Sequence, residues 1–210
     1  MEKTTPRPVF RTRREQLRNG GRGSLIGTAF GLMWFALGQS AVEGSARPAV
    51  LAAGLVLLAA SIGGVVYLFR MAARIPAEQQ GAPVAPGGDG PRFMTVVIVE
   101  AIVLGVGNNY VRTGLHRPEL MLSWSALVVG AHFFPMARTL RAPMLRVIGG
   151  LMIATVPVAA LSSLVPGAPD AVWQAVPGLG CAAVLWAGAV YTAVRAGRTP
   201  AEDGVATTSA

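Results

Sequence analysis

Six long apolar segments constrain this chain more than any other feature. They cover residues 24–42, 49–69, 93–111, 120–137, 147–164 and 172–194, each 18 to 23 residues long. A helix rises about 1.5 Å per residue, so a hydrocarbon core of about 30 Å takes about 20 residues to cross. In lipid every backbone polar group must be satisfied within the structure, which makes apolar runs of this length helices. The expected fold is all-α: a polytopic membrane bundle of six transmembrane helices, arranged as three hairpins. Their short outer turns fall near residues 43–48, 112–119 and 166–170.

Charge sets the expected orientation. Of the 18 Lys plus Arg, 15 fall before the first segment, in the second and fourth loops, or after the last segment. Only Arg47, Arg112 and Arg117 fall on the other side. Bias of this kind over short loops puts the rich side in the cytoplasm, with both termini. The net charge of +8 therefore reads as helix-end arginines that hold topology and meet anionic headgroups, not as a nucleic-acid footprint. Thr12-Arg13-Arg14 resembles the start of a twin-arginine export signal, but Gln16 stands where a large apolar residue is usual, and five more spans follow. A basic leader before a first transmembrane helix fits better. Richness in alanine, glycine and arginine with a single lysine suggests a GC-rich bacterial genome, hence a bacterial cytoplasmic membrane.

Outside the spans the chain offers little to fold. Residues 1–22 read as a basic, flexible tail, and residues 23–195 as the transmembrane domain. The proline- and glycine-rich residues 71–92 read as a disordered linker, and residues 196–210 as a disordered tail. Tyr110, Trp124 and Trp173 fall near the outer interface, Tyr67 and Tyr191 near the inner one. Trp34 and Trp186 lie deeper, as packing residues. Gly27-Thr-Ala-Phe-Gly31 has the small-xxx-small spacing that permits close helix approach, expected here within the bundle. Cys181 is the only cysteine and reads as a small packing residue.

One polar site stands out. Glu100 is the only acidic residue in the apolar part of any span, and a carboxylate in hydrocarbon costs several kcal/mol. Arithmetic suggests His132 as its partner: both lie 16 residues from His116, the centre of the hairpin that joins spans three and four. Antiparallel helices put such residues at one depth, on the order of 3 to 5 Å from the midplane. Gly107 and Asn108 are matched to Ser125 in the same way, nearer the outer turn. Together these residues describe a polar seam between the two spans. Pro135 removes its own backbone donor and so frees the carbonyl of Ala131, beside His132. Pro157 does the same for Ile153.

Other chemistry is not encoded in recognisable form. There is no HExxH, GxSxG or P-loop. Two histidines and one cysteine do not make a structural zinc site. No cofactor or metal is expected, and no nucleophile stands with a base. Residues 129–137, Val-Gly-Ala-His-Phe-Phe-Pro-Met-Ala, resemble a segment of small uncharacterised bacterial multi-pass membrane proteins. Those carry Gly-x-His-Phe-x-Pro-x-Ala in one transmembrane helix. The resemblance covers one span and implies a membrane location but no activity. Two readings stay open. In one, a small solute or proton passes along the seam of Glu100, His132, Ser125 and Asn108, assisted by the Ala131 carbonyl at Pro135. In the other, the protein is a membrane scaffold or accessory subunit, and Glu100 and His132 lock two helices together. Protein partners and a homo-oligomer are left open.

Overall fold

A computed structural model describes residues 9–10, 12–75, 83–84 and 90–198. Six helices account for nearly all of them: α1 (Arg13–Gln39), α2 (Ala46–Arg74), α3 (Gly90–Asn109), α4 (Met121–Thr139), α5 (Met144–Ser162) and α6 (Val172–Arg198). A π turn, Tyr110–Gly114, extends α3, and a 3-10 turn, Pro118–Leu120, leads into α4. A two-residue antiparallel pairing joins Val9–Phe10 to Pro83–Val84. The all-helical bundle expected from the sequence is what the chain forms.

The bundle is built inside out relative to a water-soluble protein. Ser24, Thr28, Ser61, Ser123 and Thr155 are buried, while large apolar side chains cover the outer faces of every helix. Leu55 and Val56 on α2, Ile102 and Val106 on α3, and Leu161 on α5 are all more than half exposed. Contiguous apolar surface of this extent is not stable in water. Five helices, α2 to α6, are long and apolar enough to cross a membrane. The protein is thus an integral membrane protein of multi-pass helical type. The first helix is not among the five, because its first ten residues carry four arginines with Glu15, Gln16 and Asn19, and Arg22 and Gln39 flank its apolar stretch. Its outward face is nonetheless apolar: Leu25, Ile26, Phe30 and Met33 are exposed.

The last helix is the hub. It packs on α1, α2, α4 and α5. Trp34, Ala126, Met152, Cys181, Ala182, Leu185 and Trp186 form the core around it. Small residues let the backbones meet. A Cβ on Gly178 would run into the backbone of Gly38, so α1 and α6 touch there main chain to main chain. Gly130 and Gly149 do the same for α4 and α5. Gly31 accepts the Trp186 indole, whose Nε1 donates to the Thr28 carbonyl at 3.1 Å. The small-xxx-small pattern in α1 thus serves packing within the bundle, through Gly31. Trp34 and Trp186 are packing residues as expected, 2% and 1% exposed.

Two boundaries differ from the sequence reading. The basic stretch before residue 23 is not wholly a tail: residues 13–22 are helical and continue α1. Thr12 opens the helix with a capping box, its hydroxyl accepting from the Glu15 backbone N–H at 3.2 Å and its own N–H donating to the Glu15 carboxylate at 3.2 Å. Leu17 then anchors this turn among Leu68, Ala72 and Ala193. The second linker begins later and ends earlier than expected, because α2 runs to Arg74 and α3 starts at Gly90. The remaining tail and linker expectations, residues 1–8, 11, 76–82, 85–89 and 199–210, lie outside the described residues.

The hairpin turns are where the spacing placed them. Gly44, His116 and Gly167 have φ of +67°, +54° and +80° and reverse the chain after α1, α3 and α5. Arg141, at +53°, does so between α4 and α5.

The Gly38–Gly178 crossing predicts that Gly178→Val lowers the thermal midpoint of the purified protein in detergent. Overpacking of this kind costs about 1 to 3 kcal/mol. Gly150→Ala, whose Cβ meets nothing within 4 Å, should leave the midpoint at or above its starting value. Equal midpoints for Gly178→Val and the parent chain would show that this crossing does not hold the bundle.

Candidate functional site: the polar seam between the third and fourth helices

Polar side chains of α3 and α4 meet in two layers. Both helices are antiparallel about His116, so residues equidistant from it meet. His132 Nδ1 lies 3.1 Å from Glu100 Oε2. Their side chains are 8% and 18% exposed. The imidazole nitrogen is close to the carboxylate, but its N–H direction does not satisfy an aligned hydrogen bond. The contact is a charge or dipole contact between two nearly buried groups.

Nearer the hairpin turn at His116, Asn108 Nδ2 donates to Ser125 Oγ at 3.1 Å, and Ser125 Oγ lies 3.4 Å from Asn108 Oδ1. The two side chains thus face each other across the helices. Gly107 plays a different part. A Cβ there would occupy the position of the Trp124 indole, so the glycine admits the ring against the α3 backbone. Trp124 therefore belongs to the interhelical seam.

The structure does not bring Ala131 and Pro135 into this group. Both are exposed on α4, whereas His132 is turned towards α3. The carbonyl that the proline deprives of a donor sits on that outward face, away from the carboxylate. Pro157 is likewise exposed on α5.

The third helix packs on α4 and on no other helix to a comparable extent. Its remaining surface, including Ile98, Val99, Ile102 and Val106, is exposed. The seam is therefore the attachment line of a peripheral helix. Among the described residues, no group of three or more His, Cys, Asp or Glu is placed to hold a metal ion.

Two polar arrangements escaped the sequence reading. The first is at Pro177, inside α6. A proline there leaves the Trp173 carbonyl without its helical donor. Ser123 Oγ of α4 donates to that carbonyl at 2.7 Å. The repair crosses 50 residues of sequence, so the only available signal was the proline itself. The second is Thr28 Oγ1 against Ser61 Oγ at 2.6 Å, with Thr28 Oγ1 also donating to the Ser24 carbonyl at 2.8 Å. It joins α1 to α2 beneath Trp186.

The hairpin turn beside the seam is charged. Arg117 pairs with Glu119, and Asp170 of the last hairpin lies 3.9 Å from Arg117. The hydrogen bond from Arg117, then a bond from its own backbone, hold the Glu119 carboxyl below the ordinary carboxylate range.

No family model, curated protein or solved structure matches the chain.

Ser123→Ala should destabilise the bundle by about 1 to 3 kcal/mol, because it leaves a half-buried carbonyl without a donor. Thermal unfolding in detergent measures this, and Ser123→Thr, which retains a hydroxyl, should recover part of the loss. The Glu119 pair has its own pH signature. A carboxyl with a depressed folded-state pKa contributes stability above its unfolded value and loses it as pH falls through the folded one. Titration of the Glu119 carboxyl by NMR should therefore show Arg117→Gln moving its midpoint upward. An unmoved midpoint would assign the depression to the turn backbone.

Proposed function

We propose that this protein is a membrane scaffold or accessory subunit in which Glu100 and His132 lock the third helix to the fourth. The observation that carries this reading is the attachment of α3 by one face alone, with the 3.1 Å Glu100–His132 contact on that face. A solute path needs walls on all sides. A seam between two helices, one of them peripheral, has lipid immediately behind it. Polar pairs between two helices supply what such a helix needs, an orientation-specific contact in a solvent where apolar surfaces give no preference.

The transport reading retains one supporting feature, the two polar layers that run from the outer turn towards the midplane. It lacks an enclosing third helix. The outward placement of Ala131 and Pro135 also removes the carbonyl that would have served as a relay.

The proposal includes six spans with both termini in the cytoplasm of a bacterium. The arginine bias supports the orientation, and the exposed apolar face of α1 supports its crossing beside α2. The Gly-x-His-Phe-x-Pro-x-Ala resemblance adds support for a multi-pass inner-membrane protein.

Two experiments test these statements. For the lock, Glu100→Gln, His132→Gln and the double variant form a thermodynamic cycle in detergent. The expected coupling is about 0.5 to 2 kcal/mol, and proteoliposomes should show no proton flux that depends on Glu100. A pH-gradient leak abolished by Glu100→Gln with folding intact would overturn the lock in favour of transport. For topology, single cysteines at Thr5, Gly44 and Thr207 in a Cys181→Ser background are reacted with a membrane-impermeant maleimide. In intact cells only the Gly44 position should label.

A further inference from the structure

The face of the bundle formed by α2 and α6 carries a groove that no other helix fills. It has a volume of about 370 Å³. On α2 its wall is Ala60, Gly63, Gly64 and Tyr67, and on α6 it is Val190, Val194 and Gly197. The two helices run the same way here: Gly64 lies against Ala193, and Tyr67 against Gly197. The groove therefore lies along the helix axes, over about 10 Å of rise between Ala60 and Tyr67.

Both walls end in arginine. The spacing on α2 continues from Ala60, Gly63 and Tyr67 to Arg70 and Arg74, which are exposed. Steps of three and four residues keep them on one helix face. On α6, Val190 and Val194 continue to Arg198, also exposed. Among the described residues none of these three arginines has an acidic partner. The Tyr67 hydroxyl, at the mouth of the groove beside Gly197, makes no hydrogen bond to a described residue either.

An apolar slot open to one side, with a phenol at its mouth and three exposed arginines further along the same helix faces, suits an anionic lipid. We propose that this groove is a binding site for a single anionic phospholipid. One acyl chain lies along the glycines, and the phosphate meets Arg70, Arg74, Arg198 and the Tyr67 hydroxyl. Guanidinium groups are suited to phosphate because they offer paired donors with a fixed charge. The glycines are explained by the same arrangement. Gly63 has no protein atom within 4 Å of where a Cβ would stand, so it is not needed for contact between helices. Its missing side chain leaves the slot open. The site is more specific than a general attraction of basic loops for anionic headgroups, and it is independent of the role given to Glu100 and His132.

The test uses the full chain in nanodiscs made of equal parts phosphatidylglycerol and phosphatidylcholine with identical acyl chains. Retained lipid is counted by native mass spectrometry. The parent protein should keep phosphatidylglycerol in preference to phosphatidylcholine. Each arginine replaced in R70Q/R74Q/R198Q should cost about fivefold in phosphatidylglycerol retention, without change for phosphatidylcholine. Gly63→Leu fills the slot and should lower retention of both lipids. R138Q/R141Q/R146Q removes charge elsewhere and should change nothing. Equal loss in that control would show a diffuse basic surface and overturn the site. So would the absence of any headgroup preference, or full retention by Gly63→Leu. A dimer in the parent protein that Gly63→Leu dissociates would assign the groove to a second copy instead. Should the triple variant fail to fold, the single R74Q variant and Gly63→Leu decide the question.

Discussion

Close backbone contact with the last helix is the constraint on which the rest of this bundle depends. In hydrocarbon, apolar side chains gain nothing by leaving lipid for protein, so helices associate through fit and polar contacts. Fit is set here by glycine. At Gly38 and Gly178 two main chains touch, and at Gly31 the indole of Trp186 takes the space of a side chain. These contacts put α6, last in sequence, at the centre.

Polar groups follow from that geometry. Once helices are close, hydroxyls between them find partners, as Thr28 finds Ser61 and as Ser123 finds the Trp173 carbonyl. The second case shows how a defect in one helix is corrected by another. Pro177 sits at a buried position of α6, where a carbonyl without a donor would be costly. Pro135 and Pro157 sit at exposed positions, and no comparable repair is seen at either.

What could be read from the residues was local or symmetric about a turn. Apolar runs marked the helices, and the count of residues on either side of His116 paired Glu100 with His132 and Asn108 with Ser125. Hairpin partners have a fixed register, so depth follows from counting. Contacts between helices distant in sequence have no such rule. Nothing in the residues of α6 says that it touches four other helices, and nothing near Ser123 points to Trp173. The helical start at Arg13 was legible in principle, since Thr12 and Glu15 have capping-box spacing, but the arginines around them obscured it. The exclusion of Ala131 and Pro135 was a matter of rotation: 100° along α4 separates Ala131 from His132, and hydropathy is silent on that angle.

The edge position of α3 decides how its polar pair must behave. Glu100 and His132 face each other with lipid close behind, so net charge there is expensive. The pair is neutral overall in two ways, with the proton on the carboxyl or with it on the imidazole. Either arrangement leaves each group opposite a complementary one. Removing one member breaks this balance, because the survivor then stands alone in a medium without water. Removing both takes away the cost along with the contact. As the proposed lock, the pair constrains orientation before it adds stability. A helix held on one side only depends on such contacts for the face it turns to its neighbour. Asn108 with Ser125, one layer out, fixes the same choice a second time, and two matched layers leave α3 a single register against α4.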